Sequence, residues 1–160
     1  MVIERLHDLP IGSLGVLIAE GEHTGSRFVR RLAEEWATGV NRFDRPGEVL
    51  FGAWIDEQLV GVCGLNVDPY GAEDRVGRVR HLYVLSAFRR LGVGRRLVTE
   101  VLVAARGRFD IVRLRTTNPS AARLYEALGF RPSGEAGGAA THVMELMNPS
   151  LPVPGSRSEL

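Results

Sequence analysis

The feature that most constrains this chain is a strand-like segment that runs through two closely spaced glycines into a helix-like segment. "RVRHLYVL" alternates polar and apolar residues, Gly92 and Gly94 follow, and apolar residues then recur at helical spacing up to about Gly107. This succession predicts a sheet with helices packed on it. The glycines let the backbone approach an anion, and a helix N-terminus attracts one, so the turn is a candidate phosphate cradle rather than only a solvated basic turn.

Two well-known phosphate loops do not fit this turn. A P-loop needs a lysine, and the 20 positive side chains of the chain are all arginine. A dinucleotide-binding fingerprint needs a third glycine, but Leu97 stands at that position. The turn therefore predicts an anion cradle of another kind, to which neighbouring arginines add charge-assisted hydrogen bonds.

The other segments predict the element order β-α-α-β-β-β-α-β-α-β-β. Residues 11–40 are expected to be helical, with Phe28, Leu32 and Trp36 on one face and Gly39 as a stop. Further on, "NPSAARLYEALGF" predicts a short helix in which Asn118 is the N-cap. Antiparallel strands that lead into strand–helix–strand crossovers indicate an α/β fold with a mixed sheet and helices on both faces.

Composition indicates one soluble domain. We expect the domain to span residues 1–147 and residues 148–160 to form a flexible tail, because that tail is rich in Pro and Gly and has little to bury. A formal charge of +1 argues against nucleic acid or a membrane as the main partner. No cluster suggests a metal site. Cys63 is the only cysteine, so a reducing, cytoplasmic setting is expected, with Cys63 as a small core residue rather than a reactive thiol.

Two motifs give the chain a resemblance to a known family. "HLYVLSAFRRLGVGRRLV" resembles the acyl-CoA-binding segment of the GNAT superfamily of N-acetyltransferases, whose hallmark is [QR]-x-x-G-x-[GA] between a strand and a helix. About thirty residues later, "NPSAARLYEALGFRP" resembles the second signature, Asn-x6-Tyr followed by Gly-Phe. The resemblance implies a mixed, mostly antiparallel sheet flanked by helices, with a splayed strand pair that holds CoA.

The resemblance also implies which residues bind acetyl-CoA. The strand before the cradle would bind the pantetheine arm through its main chain, at a bulge that splays it from its neighbour. Asn118 matches a position whose side chain contacts the cofactor, a role compatible with capping. The strand residues are Leu82, Tyr83 and Val84, and the cradle residues are Arg89, Arg90, Leu91, Gly92, Val93, Gly94 and Arg95.

Tyr125 matches the family's general acid, which would also contact the cofactor and would assist departure of the CoA thiolate. The alternative is that it only packs in the core. Arg78 stands where relatives often carry a glutamate base, so the base is unassigned; Glu73, Asp74 and His81 are nearby substitutes. An amine that arrives partly deprotonated needs none of them.

The predicted function is acetyl transfer from acetyl-CoA to a primary amine of a small molecule. Arg78, Arg80 and Leu82 should share the strand face that looks toward the acceptor in the family, and two arginines there favour an amino-acid-like acceptor with a carboxylate. The alternatives are that both arginines are solvated, or that acidic residues attract a cation instead. The chain could also acetylate protein N-termini, as ribosomal-protein-type enzymes do, or be a non-catalytic acyl-CoA-binding module. A homodimer is left open.

Overall fold

The computed structural model describes residues 1–70, 75–133 and 139–146. The predicted tail and two of the substitute bases, Glu73 and Asp74, lie outside the described residues. Within these ranges, four α-helices and seven strands follow one another in the predicted order, with one 3₁₀ turn at Ser86–Phe88 before the third helix. The elements are β1 Val2–Arg5, α1 Ile11–His23, α2 Phe28–Thr38, β2 Val49–Ile55, β3 Gln58–Val67, β4 Val76–Val84, α3 Val93–Ala105, β5 Ile111–Leu114, α4 Pro119–Ala127, β6 Arg131–Pro132 and β7 His142–Glu145.

The strands form one sheet in the order β1-β2-β3-β4-β5-β7-β6. Every neighbouring pair is antiparallel except β4 and β5, which are parallel. The parallel pair arises because α3 crosses over between these two strands, as a parallel connection requires. The predicted mixed, mostly antiparallel sheet is confirmed.

Helices cover both faces of the sheet. Gly21 of α1 packs against the ring of Tyr83, because a Cβ at Gly21 would lie 3.9 Å from Cε2 of Tyr83. A Cβ at Gly94 of α3 would lie 3.8 Å from Cγ2 of Val84, the next residue along β4. Successive strand residues point to opposite faces. Therefore α1 and α3 lie on opposite sides of β4.

The predicted helical region of residues 11–40 divides into two helices around residues 24–27. Gly39, with φ of 79°, ends α2 as predicted. The predicted apolar face is partly wrong. Leu32 is buried, but Phe28 is 57% exposed, and Val29 takes its place in the core. No helix in the described ranges is long and apolar enough to cross a membrane.

Candidate functional site

The parallel strands β4 and β5 pair only at one end and then separate. Their paired residues are Val76 to Arg78 on β4 and Ile111 to Arg113 on β5. Beyond Arg78, β4 continues to Val84 and pairs with β3 alone among the described strands. Part of the main chain of β4 therefore faces a gap, which is the geometry in which an extended ligand adds to a sheet edge.

A β-bulge bends β4 in the stretch that pairs with β3 but not with β5. Val62 of β3 lies opposite Tyr83 and Gly64 lies opposite Arg80, so Cys63 faces two residues of β4. One of them, His81, has φ of 60°, which is unusual for a residue with a side chain. Bulges increase the local twist and bend a strand. This bulge therefore lies in the part of β4 that does not pair with β5.

The predicted cradle lies at the N-terminus of α3. Gly92 is the N-cap with φ of 80°, and no side chain caps this end of the helix. The first hydrogen bond within α3 runs from Arg96 N to Gly92 O. The helix therefore offers no acceptor to the three N–H groups before it, those of Val93, Gly94 and Arg95. A Cβ at Gly92 would meet no atom within 4 Å. The turn thus presents free amides beside open space, as an anion cradle requires.

The arginines of the motif have different surroundings. Arg90 and Arg95 are exposed, with Arg90 at φ of 66°. Arg89 instead folds back on the protein: its Nε donates to the carbonyl of Val84 at 2.9 Å, and its guanidinium lies 5.6 Å from the centre of the Tyr83 ring. Arg89 therefore stabilises the loop from within, and Arg90 and Arg95 are the arginines free to reach a phosphate.

Asn118 caps α4 as the sequence predicts. Its Oδ1 accepts hydrogen bonds from the N–H groups of Ser120, at 2.9 Å, and Ala121, at 3.3 Å. Pro119 occupies the first turn. The amide oxygen is thus used by the helix, while the amide nitrogen is available to a ligand.

Tyr125 projects from α4 into the core beside the bulge. It is 5% exposed, its ring packs edge-on against Phe130, and its hydroxyl makes no hydrogen bond to another described residue. Burial raises its pKa above the ordinary tyrosine value, and nearby Cys63 adds to this effect. The hydroxyl therefore stays protonated at neutral pH and has its hydrogen available to donate.

Arg78 and Arg80, the two predicted acceptor-binding arginines, are already paired with acidic side chains. Arg78 is buried; its Nη2 donates to the carbonyl of Ala139 at 2.7 Å and its Nη1 lies 3.8 Å from a carboxylate oxygen of Asp68. Arg80 Nη2 lies 3.7 Å from Oε1 of Glu35 in α2. The alternative of two solvated charges is wrong for Arg78, and neither residue is a free cation.

The bulge also changes which residues share a face. The sequence predicted Arg78, Arg80 and Leu82 on one face of the strand. Tyr83 contacts α1, so its neighbour Leu82 points to the opposite face. Arg80 contacts α2, which packs on α1. The prediction is therefore wrong for Leu82, because the extra residue at His81 reverses the alternation.

His81 is the only one of the three substitute bases among the described residues. It is 7% exposed, and the only polar group that acts on its ring by hydrogen bonding among the described residues is the main chain of Phe28. Burial, and then the positive charge of Arg80, lower its pKa to about 3. A neutral, enclosed imidazole of such low basicity is poorly suited to remove a proton from an ammonium group. The base stays unassigned.

Sequence reasoning missed Glu20, near the end of α1. Its carboxylate accepts hydrogen bonds from the Tyr83 hydroxyl at 2.7 Å and from Ser86 N at 2.8 Å and Oγ at 3.0 Å. Burial alone would raise the pKa of Glu20, but the bonds from Tyr83 and Ser86 and the charge of Arg89 lower it overall. No spacing in the sequence links residues 20 and 86, so only the fold could reveal this contact.

The described residues contain no group of three or more His, Cys, Asp or Glu side chains arranged to hold a metal ion.

Comparison with known proteins establishes the class. The family model described as "Acetyltransferase (GNAT) family" matches residues 17–130. Since this match covers most of the chain, the protein belongs to the GNAT acetyltransferase family.

Individual relatives agree with this class. N-alpha-acetyltransferase 30 of Xenopus laevis is 38% identical over 86 residues, which are 52% of this chain and 32% of that protein; the chain thus matches about a third of the relative's length. A putative acetyltransferase from Exiguobacterium sp. 255-15 has 27% identity and a TM-score of 0.79 over 90% of this chain and 92% of that one. An aminoglycoside 6'-N-acetyltransferase complexed with coenzyme A shares the fold, with 17% identity and a TM-score of 0.69 over 92% and 98% of the two chains.

The residues present fit acetyl-CoA. The uncapped N-terminus of α3 and the open space at Gly92 suit a pyrophosphate, and the separated edge of β4 suits an extended arm. A Cβ at Gly94 would lie 3.3 Å from Cδ2 of Leu124 in α4, so this glycine allows α3 and α4 to approach each other.

Proposed function

We propose that this enzyme transfers the acetyl group of acetyl-CoA to the α-amino group of a peptide or protein N-terminus. The observation that carries the proposal is the 38% identity over 86 residues to an N-alpha-acetyltransferase. The pairing of Arg78 with Asp68 and of Arg80 with Glu35 supports it, because a site for a free amino acid would need an uncompensated cation for the carboxylate.

In the proposed mechanism the amides of Val93, Gly94 and Arg95 bind the pyrophosphate, and the main chain of β4 aligns the arm beside α4. The thioester supplies an activated acetyl group. As the amine nitrogen bonded to the acetyl carbon and the carbon–sulfur bond broke, the Tyr125 hydroxyl would donate its hydrogen to the departing sulfur. The proton lost by the amine would then return to the Tyr125 oxygen, so that the products are the amide and free CoA thiol. Asn118 adds a side-chain contact to the cofactor while it caps α4.

A panel of acceptors tests this proposal. Peptides with a free N-terminus are compared with the same peptides carrying an Nα-acetyl block and one internal lysine, and products are located by mass spectrometry. We expect acetylation only of the free N-terminus. Preferential acetylation of the blocked peptides at lysine, or of free amino acids, polyamines or aminoglycosides over every peptide, would refute it.

A small, amino-acid-like acceptor is the second candidate function. The observation that favours it is the Nη1 atom of Arg78, which is buried without a hydrogen-bond partner and sits where the strands separate. The same panel decides between the two, since this candidate predicts that free amino acids have a higher kcat/KM than peptides. Absence of thiol release with every amine would instead indicate a non-catalytic acyl-CoA-binding module.

A further inference from the structure

Glu20 connects two parts of the proposed cofactor site that the sequence motif does not connect. It lies on α1, about sixty residues before the motif, and its carboxylate binds Tyr83 at the end of β4 and Ser86 at the start of the following turn. Oε1 accepts two of the three hydrogen bonds and Oε2 accepts the third. One side chain thus fixes the junction between the strand and the cradle.

Arg89 extends this junction into the motif itself. Its Nη2 lies 3.8 Å from Oε1 of Glu20, while its Nε donates to Val84 O. Glu20, Tyr83, Ser86 and Arg89 therefore form one connected cluster, which we call the Glu20 cluster. All three hydrogen bonds of Glu20 in this cluster are accepted by an ionised carboxylate, so they belong to the stronger, charge-assisted class, and Arg89 adds an ion pair.

The turn that this cluster supports has an unfavourable backbone. Arg90 and Gly92 both have positive φ, 66° and 80°, within three residues. A residue with a side chain in this region costs energy and persists only where the surroundings hold it. Arg90 makes no hydrogen bond or ion pair with another described residue, whereas the residues just before it, Ser86 and Arg89, are held by Glu20. These residues are therefore positioned to support the turn.

A role for Glu20 as the missing general base conflicts with these contacts. Both carboxylate oxygens already accept hydrogen bonds, and the carboxylate is held ionised by its neighbours. A base needs a free oxygen directed at the substrate and a pKa closer to neutrality. The geometry favours a structural link to the cradle instead.

We propose that Glu20 is a positioning residue that holds the β4–α3 turn in the shape that binds the pyrophosphate of acetyl-CoA. The proposal depends on the cradle as the cofactor site but not on which amine is the acceptor. Loss of the Glu20 side chain removes none of the groups proposed to contact the ligand. It lowers the fraction of molecules in which the β4–α3 turn has the shape that binds pyrophosphate, which we call the competent fraction. The affinity for CoA then falls in proportion to that fraction.

The test is calorimetric titration of CoA into Glu20→Ala and into a matched control, Glu22→Ala. Glu22 lies on the same helix, is exposed and pairs with Arg30. If the competent fraction falls to about a tenth, the Kd for CoA rises about tenfold in Glu20→Ala, while Glu22→Ala matches the parent. In steady state, KM for acetyl-CoA should rise by the same factor with kcat at saturating donor within about twofold of the parent.

A double variant keeps the test decisive if Glu20→Ala does not fold. Tyr83→Phe with Ser86→Ala removes two of the three donors and keeps their volume nearly unchanged, so it should also raise the Kd for CoA. An unchanged Kd in the folded variants would overturn the proposal, and so would an equal rise in Glu22→Ala. A fall in kcat at saturating donor with unchanged Kd would place Glu20 in the chemical step instead. The titration needs no acceptor, so failure of the peptide panel does not affect it.

Discussion

The Nε of Arg89 donates to the main-chain carbonyl of Val84 across 2.9 Å, which ties the signature arginine of the motif to the end of the strand before it. The Arg89 side chain is 53% exposed, and its guanidinium lies 5.6 Å from the centre of the Tyr83 ring. Within the pattern [QR]-x-x-G-x-[GA], Arg89 stabilises the shape of the turn, whereas Arg90 lies in the turn with its side chain exposed. This division gives the neighbouring arginines different roles that can be measured.

Arg89→Ala and Arg90→Ala should weaken CoA binding in different ways. Arg90 is exposed and free to face a phosphate, so its contribution should decrease as salt is raised from low to high concentration. Arg89 acts through a 2.9 Å hydrogen bond to a neutral carbonyl as well as through its longer ion pair with Glu20, so its contribution should depend less on salt than that of Arg90. Titrations of CoA at two salt concentrations measure both effects. Equal salt dependence of the two variants would contradict the assigned roles.

Gly92→Ala should abolish most cofactor binding while Gly107→Ala should not. The two glycines have φ of 80° and 81° and would meet no atom within 4 Å on gaining a Cβ, so the backbone strain of about 1 kcal/mol is matched. Only Gly92 lies in the cradle. In the parent protein, acetyl-CoA at about 100 times its Kd should increase the free energy of unfolding by about 2.7 kcal/mol. This should raise Tm by at least about 5 °C.

The matched pair also separates strain from ligand contact. Both variants should lose similar stability without ligand, and Gly107→Ala should keep the full ligand-induced rise in Tm. A full rise in Gly92→Ala would show that the pyrophosphate binds elsewhere.

Cys63 should be unreactive in the folded protein. It is fully buried, and burial raises the pKa of its thiol to about 12. The reactive thiolate is therefore scarce at pH 8. Iodoacetamide should modify Cys63 only after denaturation, as followed by intact mass. Rapid modification of the native protein would show that the core beside Tyr125 opens readily.

The sequence predicts the element order, the cap of α4 and the cradle because each depends on local chemistry. Glycine at a helix N-terminus and asparagine before proline leave a readable pattern within a few residues. The bulge at His81, the Arg78–Asp68 pair and the Glu20 contacts depend on which segments the fold brings together. Leu82 points to the face opposite the predicted one because the bulge inserts one residue into β4, and the alternation of "RVRHLYVL" does not indicate a bulge.

Arg80→Ala should have little effect on the KM of a peptide acceptor, because Glu35 already neutralises Arg80 at 3.7 Å. A partly exposed ion pair of this kind contributes about 0–1 kcal/mol to the stability of the fold, so Arg80→Ala should not unfold the protein. Glu35→Gln is the companion variant, since it frees the arginine. If Arg80 serves an acceptor carboxylate, Glu35→Gln should lower KM for free amino acids and Arg80→Ala should raise it. Steady-state kinetics with both acceptor classes distinguishes these results.

The hydroxyl of Tyr125 is central to the catalytic account, and Tyr125→Phe removes it while keeping the ring against Phe130. The most direct measurement is kcat by thiol release at saturating acetyl-CoA, together with the Kd for CoA by titration. We predict a kcat about 10²-fold below the parent, as for loss of a general acid, with the Kd little changed. A variant with parental kcat would contradict the account and leave Tyr125 as a core residue.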